Sequence, residues 1–150
     1  MNTDLKGLII RHDHDELLIL LERMKWTDQV IVNYDRHSDC YKNKKVDNGS
    51  WGYYGMKNGT IRTFIWIPAK ESLHDIFRIF IAKLRLAWIR KPVILSICYD
   101  YFIGLGLGLG LDINEAMIEE KIDAIIEDIK EMRISISFVY AARSPSWSQY

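Results

Sequence analysis

At the end of one apolar run, three residues at alternate positions carry side chains that can bind a metal ion or a proton. The run 30–34 is followed by Asp35, His37 and Asp39. Because an extended chain sends alternate side chains to one face, we expect the two carboxylates and the imidazole to converge. Carboxylates held this close repel each other unless a cation neutralises them. The spacing indicates a site for a divalent metal ion, although an ordinary polar loop is the alternative.

Two further polar groups follow predicted strands. The apolar run 93–97 leads into Cys98 and Asp100, which are again two residues apart, and a strand at 7–10 leads into His12 and His14. Alternation places both histidines on one face, so either can be a ligand. An isolated cysteine is more often a small buried residue of a core strand, whereas a thiolate ligand would favour zinc, iron or cobalt.

The hydrophobic periodicity predicts strands that alternate with helices. The predicted strands are 7–10, 29–35, 60–67, 93–100 and 134–142, and the predicted helices are 16–25, 49–56, 71–90 and 113–132. Asp15 is the predicted N-cap of the first helix. This alternation is typical of an α/β domain with a mainly parallel sheet covered on both faces, here one domain over residues 1–150. Ligands of such sheets gather beyond the carboxyl ends of the strands, where all three polar groups lie.

Composition narrows the classes of partner. Acidic and basic residues balance at twenty each, so no net charge attracts the protein to nucleic acid or to an anionic membrane. The N-terminus lacks the pattern of a secretory signal, and the apolar stretches are interrupted by Lys or Arg before they could span a bilayer. Cys40 and Cys98 do not form a spaced framework, so we expect reduced thiols and a cytoplasmic protein.

Two other features have weaker interpretations. The glycine repeat at 104–110 lacks the spacing of a phosphate-binding loop, and we interpret it as a flexible surface loop or lid. Most aromatic residues are expected in the core, whereas Tyr99 and Tyr101, which flank the predicted ligands, are expected to shape the pocket.

Five segments resemble the small arginase-like branch of the ureohydrolase superfamily, which includes the peptide arginases. The segments are 33–39 (NYDRHSD), 48–51 (NGSW), 65–68 (IWIP), 95–102 (LSICYDYF) and 142–145 (ARSP). The resemblance implies a three-layer α/β/α fold of minimal size that binds two manganese ions. It also implies that a metal-bridging hydroxide hydrolyses arginine side chains of a precursor peptide to ornithine and urea.

The resemblance assigns a role to each matching position. The implied ligands are His14 and Asp39 on the first ion, His37 and Asp100 on the second, and Asp35 between them. In the mechanism that this implies, we expect the departing ornithine amine to be protonated through Asp39 or a nearby group.

The sequence departs from the family at two positions. Cys98 stands where the family has a bridging aspartate, which leaves zinc, iron or cobalt as alternatives to manganese. Asn48 stands where a histidine is expected; its amide can orient a guanidinium or a urea oxygen but cannot transfer a proton near neutral pH. Glu16 is a further candidate for contacting the guanidinium.

The short chain leaves little sequence for loops that would enclose free arginine, so we expect an arginine-containing peptide as substrate. The sequence lacks the additional motifs of a calcineurin-like phosphoesterase, and an amidohydrolase barrel needs about 250 residues. The remaining alternative is a degenerate, non-catalytic member that binds a peptide or one structural metal, with Cys98 and Asn48 as the marks of lost chemistry.

Overall fold

The computed structural model describes residues 7–70, 72–102 and 115–143. Within these ranges five strands alternate with four α-helices. The strands are β1 (Leu8–Arg11), β2 (Gln29–Tyr34), β3 (Ile61–Ile67), β4 (Val93–Cys98) and β5 (Ile136–Ala142). The helices are α1 (Glu16–Arg23), α2 (Trp51–Lys57), α3 (Leu73–Leu86) and α4 (Glu115–Met132). The glycine repeat 104–110 and the tail 144–150 lie outside the described residues.

The five strands form one sheet in which every pairing is parallel, with the order β1-β5-β4-β2-β3. Parallel neighbours require a crossover, and the helices supply these connections. All five carboxyl ends therefore lie at the same edge of the sheet. The predicted parallel α/β architecture is confirmed.

Each face of the sheet has its own apolar core. Helices α1 and α2 pack on one face, where Leu17, Leu18 and Trp51 are fully buried. Helices α3 and α4 cover the other face, where Leu86 and Ile125 pack against the strands. The predicted three-layer α/β/α arrangement of small size is therefore confirmed.

The start of α1 differs from the prediction. The side chain of Asp15 makes no capping hydrogen bond, because its backbone is already helical (φ −65°, ψ −19°) whereas a capping residue is normally extended. Asn48, from a distant loop, instead binds the residues just before the helix: its Oδ1 accepts the backbone N–H groups of His14 (2.8 Å) and Asp15 (3.2 Å). A residue of the 36–48 loop thus fixes the segment that carries His14.

The strand predicted to reach Asp100 ends two residues earlier. β4 stops at Cys98, and a short 3-10 helix (Tyr99–Tyr101) follows. This turn brings Asp100 back towards the carboxyl end of the sheet, where it is 4 % exposed. Asp100 and Cys98 therefore reach the same region through a turn and not through strand alternation.

Helix α3 is confirmed, and Ser72 caps it by accepting the N–H of Asp75 at 3.2 Å. Its buried residues are Ala82 and Leu86, however, and the apolar positions that predicted the helix face outward. The exposed ones are Leu73, Ile76, Phe77, Phe80, Ile81 and Leu84. None of the helices within the described residues combines the length and apolar character needed to cross a bilayer.

The contact between α2 and β3 predicts an unusual response to alanine. A Cβ at Gly55 would lie 2.4 Å from Ile61 Cδ1 and 2.8 Å from its Cγ1, and Ile61 is 1 % exposed. Glycine to alanine within a helix normally stabilises it, but this clash in a packed core should make Gly55→Ala destabilising by about 1–3 kcal/mol. Met56→Ala, at an exposed position of the same helix, should change the free energy of unfolding much less. Urea denaturation measures both, and a stabilised Gly55→Ala would contradict the close packing.

Candidate metal centre

All six sequence-predicted metal ligands line one pocket at the carboxyl edge of the sheet. They come from the segments that follow β1, β2 and β4, which the sequence separates by up to 86 residues (His14 to Asp100). The lining residues are His14, Asp35, His37, Asp39, Tyr41, Asn48, Gly49, Cys98 and Asp100. Of the two candidate histidines after β1, His14 is buried in this pocket, whereas His12 is exposed.

Two groups of donor atoms within this pocket could each hold a metal ion. The first consists of His14, Asp35 and Cys98, and the second of Asp35, His37 and Asp100. In each group the donor atoms lie within 4.8 Å of one another. Asp35 belongs to both groups, so its carboxylate could contribute a donor to each of them. The donor set fits divalent metals that accept nitrogen and oxygen ligands.

The first group is almost completely buried. His14 Nδ1 lies 2.8 Å from Asp35 Oδ2 and 3.1 Å from Asp39 Oδ2, and all three residues are at most 3 % exposed. Neither donor group includes Asp39, whose Oδ2 also accepts the indole N–H of Trp51 at 2.7 Å. Asp39 therefore borders the first site through a carboxylate that is already hydrogen-bonded.

The second group faces the opening of the pocket. His37 Nδ1 lies 2.8 Å from Asp100 Oδ2 and 3.7 Å from Asp35 Oδ1. The backbone N–H of His37 also donates to Asp35 Oδ1 at 2.8 Å. The His37 side chain is 34 % exposed, so this half of the pocket is accessible from solvent.

Protons shared between histidines and carboxylates stabilise the cluster. Burial lowers the pKa of His14, but the hydrogen bonds that its imidazole donates to Asp35 and Asp39 outweigh this effect and raise the pKa well above 6.5. Hydrogen bonds to Asp100 and then to Asp35 raise the pKa of His37 to about 10. Burial disfavours the charge of Asp35, yet hydrogen bonds from the two histidines hold its pKa far below 3.8.

Asp39 and Cys98 are shifted the other way, towards their neutral forms. Burial and the charge of Asp35 raise the pKa of Asp39 to about 7. Burial raises the pKa of the Cys98 thiol to about 12, although His14 opposes this shift. Cys98 is therefore a neutral thiol at pH 7 unless a cation stabilises its thiolate. Cys40 and Cys98 are both free, in agreement with the predicted reduced thiols.

One row of side chains across the sheet supports the pocket from below. In the strand register Tyr140 pairs with Ser96, Ser96 with Asn33, and Asn33 with Trp66. Each member holds one segment of the site. The hydrogen bonds are Tyr140 Oη to Asp13 O (2.7 Å), Ser96 Oγ with His14 Nε2 (2.6 Å), Asn33 Nδ2 to Asp39 Oδ2 (3.3 Å) and Trp66 Nε1 to Asp35 O (2.8 Å).

The sequence analysis missed this supporting row, although a signal for it exists. Asn33 and Ser96 are polar residues inside apolar strands, and each precedes a predicted ligand, Asp35 or Cys98, by two positions. Both are fully buried. A buried polar side chain requires a hydrogen-bond partner, so its presence on the ligand face of a strand predicts contact with the site.

Helix α2 lies close to the site because its second residue, Gly52, has no side chain. The Gly52 N–H donates to the Asp39 carbonyl oxygen at 2.9 Å, and a Cβ at Gly52 would lie 3.0 Å from that oxygen. The backbone of Asp39 has a φ of 55°, in the left-handed region that aspartate tolerates better than most residues. This turn directs the Asp39 side chain back towards His14.

The remaining predicted residues have structural partners. Asn48 lines the pocket, and besides accepting the N–H groups of His14 and Asp15 it donates to Asp13 Oδ1 at 3.1 Å. The pocket lining contains Tyr41 and Gly49, and it contains neither Tyr99 nor Tyr101. Tyr101 instead packs edge-on against Tyr34 on the opposite face of the sheet. Glu16 lies outside the lining and accepts the N–H of Asp13 at 3.3 Å.

Two comparisons with known proteins gave no match. The sequence matches no model of a known protein family, and no curated protein is significantly similar to it. The resemblance to the arginase-like branch therefore remains an interpretation of motifs.

The supporting row predicts a specific loss of metal affinity. Ser96→Ala removes the hydrogen bond that orients His14, and loss of such a bond to a metal ligand typically costs 10- to 100-fold in affinity, so we expect a decrease of about that size. Isothermal titration of the metal-free protein with Mn²⁺ and Zn²⁺ measures it. Ser137→Ala is the matched control, because Ser137 Oγ donates to Val93 O at the opposite edge of the sheet. Equal affinities in both variants would contradict the orienting role of Ser96.

The raised pKa values predict how stability depends on pH. His37 and Asp39 hold their protons more tightly in the folded state, with pKa values of about 10 and about 7 against 6.5 and 3.8. The stabilisation by these protons is lost as pH rises through the folded pKa values, so the Tm of the metal-free protein should fall between pH 6 and 9. A bound ion replaces the protons, so the increase in Tm caused by Mn²⁺ should grow over the same interval. Thermal melts with and without metal measure both effects, and a metal-induced increase that is independent of pH would contradict this assignment.

Proposed function

We propose that this protein is a metal-dependent hydrolase that removes urea from arginine side chains of a peptide and leaves ornithine. The observation that carries the proposal is the position of Asp35, which two donor groups share. A shared carboxylate is the arrangement that a binuclear hydrolytic centre requires. The order of the motifs along the chain adds the resemblance to peptide arginases.

The charges of the site support a cationic substrate. Asp35, Asp39 and Asp100 bring three carboxylates into one pocket, and each is at most 4 % exposed. Two divalent ions bound there would lower the pKa of a shared water and supply a nucleophile near neutral pH. The carboxylates limit the positive charge of the loaded site, so a guanidinium group can approach it.

Two residues of the chain have proposed roles beside the ligands. Asp39 borders the pocket but lies outside both donor groups, so its carboxyl group is placed to pass a proton to the departing amine. Asn48 lines the pocket and keeps the His14 segment in place through its amide. Its proposed contribution is to position that ligand and to border the guanidinium.

The opening of the pocket supports a peptide over free arginine as the proposed substrate. The His37 side chain is 34 % exposed and the pocket-lining Tyr41 is 54 % exposed, so the second donor group can be reached from solvent through His37. An arginine side chain of a larger partner can reach this group while its backbone stays outside. Free thiols at Cys40 and Cys98 agree with the proposed cytoplasmic location, where precursor peptides are made.

We propose manganese as the metal, with two ions bound, since oxygen and nitrogen atoms make up most of the donors. Cys98 is the exception, and its ligation would favour zinc, iron or cobalt. The same residue favours a second candidate function, in which the chain binds a peptide or one structural metal without catalysis. The raised pKa of the thiol and the hydrogen bonds that occupy Asn48 support that candidate.

Mass spectrometry tests the proposed reaction directly. Arginine-containing precursor peptides co-expressed with this protein should lose about 42 mass units for each arginine converted, with release of urea. Asp35→Asn should abolish the conversion, because it removes the charge that both donor groups share. His12→Asn, at an exposed histidine outside the pocket, should leave it unchanged. Absence of conversion with every metal and peptide, together with retained peptide binding, would favour the non-catalytic candidate.

Substitutions of Cys98 distinguish a role as a metal ligand from a role in packing. If the thiolate is a ligand, Cys98→Ala should lower urea release at least about 100-fold, whereas Cys98→Asp should retain a measurable rate because it restores one negative donor. Urea release and the number of metal ions bound by each purified variant are the measurements. Full activity of Cys98→Ala would show that Cys98 only fills space below Asp35.

A further inference from the structure

Helix α3 carries a continuous apolar stripe that points away from the sheet. Ala82 and Leu86 face the core, and at 100° per residue the exposed apolar residues lie on the opposite side. These stripe residues are Leu73 (84 % exposed), Ile76, Phe77 (63 %), Phe80 (57 %), Ile81 and Leu84, together with Trp88 (81 %), which follows the end of the helix. Soluble proteins rarely expose so many large apolar side chains together unless another surface covers them.

The size and spacing of the stripe fit a helix of the same kind. Leu73, Phe77, Phe80, Leu84 and Ala87 follow one another at intervals of four and three, which is the spacing of a helix-to-helix seam. The seven stripe residues present roughly 900 Å² per copy, which is close to the approximately 800 Å² that each partner buries in a standard interface. One copy of α3 therefore offers enough surface for a stable contact with another.

The charges beside the stripe are complementary between α3 and α4. Arg78 lies over the ring of Trp66 on the edge strand β3 (5.4 Å), and Arg85 follows two helical turns later on the same side. On the other side Lys83 contacts Asp128 of α4. The outer face of α4 is mostly acidic, and its one exposed lysine, Lys130, pairs with Glu127 at 2.9 Å. The exposed acidic residues are Glu119, Glu120, Asp123, Glu127 and Glu131.

We infer that the α3 stripe is the interface of a two-fold homodimer in which the two α3 helices run parallel. A two-fold axis parallel to α3 places the basic side of each α3 next to the acidic α4 of the second copy. The antiparallel arrangement would place the two basic sides together. Because the Lys83–Asp128 contact aligns α3 with α4, Arg85 lies at the level of Glu127 and Glu131 of the second copy.

Sedimentation velocity over a wide range of protein concentration tests the dimer. The native chain should sediment as a dimer that dissociates on dilution. Phe77→Asp and Phe80→Asp should each raise the dissociation constant at least about 100-fold without lowering the Tm of the monomer, because both side chains are exposed in it. Ile19→Asp is the matched control, at an exposed apolar position on α1 across the sheet (42 % exposed), and it should remain dimeric.

Charge reversal tests the arrangement of the two copies. Arg85→Glu should weaken the dimer about 10-fold, and the added substitution Glu131→Lys should restore it. A native chain that stays monomeric at every concentration overturns the inference, since another segment or protein must then cover the stripe. Dimers that tolerate Phe77→Asp and Phe80→Asp also overturn it, and failure of Glu131→Lys to restore affinity overturns the parallel arrangement.

Discussion

Repulsion among buried carboxylates is the constraint on which this site depends. Asp35, Asp39 and Asp100 are nearly inaccessible to solvent, and burying an ion without a partner is strongly unfavourable. The two histidines compensate by holding protons between the carboxylates, as the raised pKa of His37 shows. A divalent cation could compensate the same charges. The geometry that stabilises the protonated cluster is therefore also one that could hold a metal ion.

The sheet maintains this geometry through its register. Parallel pairing aligns Asn33, Ser96 and Tyr140 in one row, so that a polar atom lies below each segment of the site. A slip of one residue in either strand would exchange these side chains for apolar ones and turn the ligands away. Fold and site are thus specified together, because the same alternation that buries Ile31 and Ile94 places the supporting polar residues two positions later.

The sequence predicted the architecture and the convergence of the ligands because both follow from short-range rules. Strand and helix periodicity predicts a parallel sheet, and a parallel sheet brings its carboxyl ends together. The same rules failed where contacts between distant segments determine the local structure. Asn48 binds the residues just before α1, and the sequence separates it from Asp15 by 33 residues. Periodicity likewise predicted α3, but it describes one helix and carries no information about the neighbouring elements. It therefore could not predict that Phe77 and Phe80 face away from the core.

The buried thiol of Cys98 bears on the choice of metal, because a cysteine must lose its proton before it can be a ligand. Burial raises the pKa of the thiol to about 12, so its ionisation at pH 7 is strongly unfavourable. Structural zinc sites gain about 10–16 kcal/mol on binding, so a soft metal can offset this cost. A hard ion such as Mn²⁺ prefers oxygen and gains less from sulfur. Ligation by Cys98 would therefore favour zinc, iron or cobalt, whereas beside manganese a protonated Cys98 would only fill space. The cysteine thus links the first donor group to the kind of metal that it could hold.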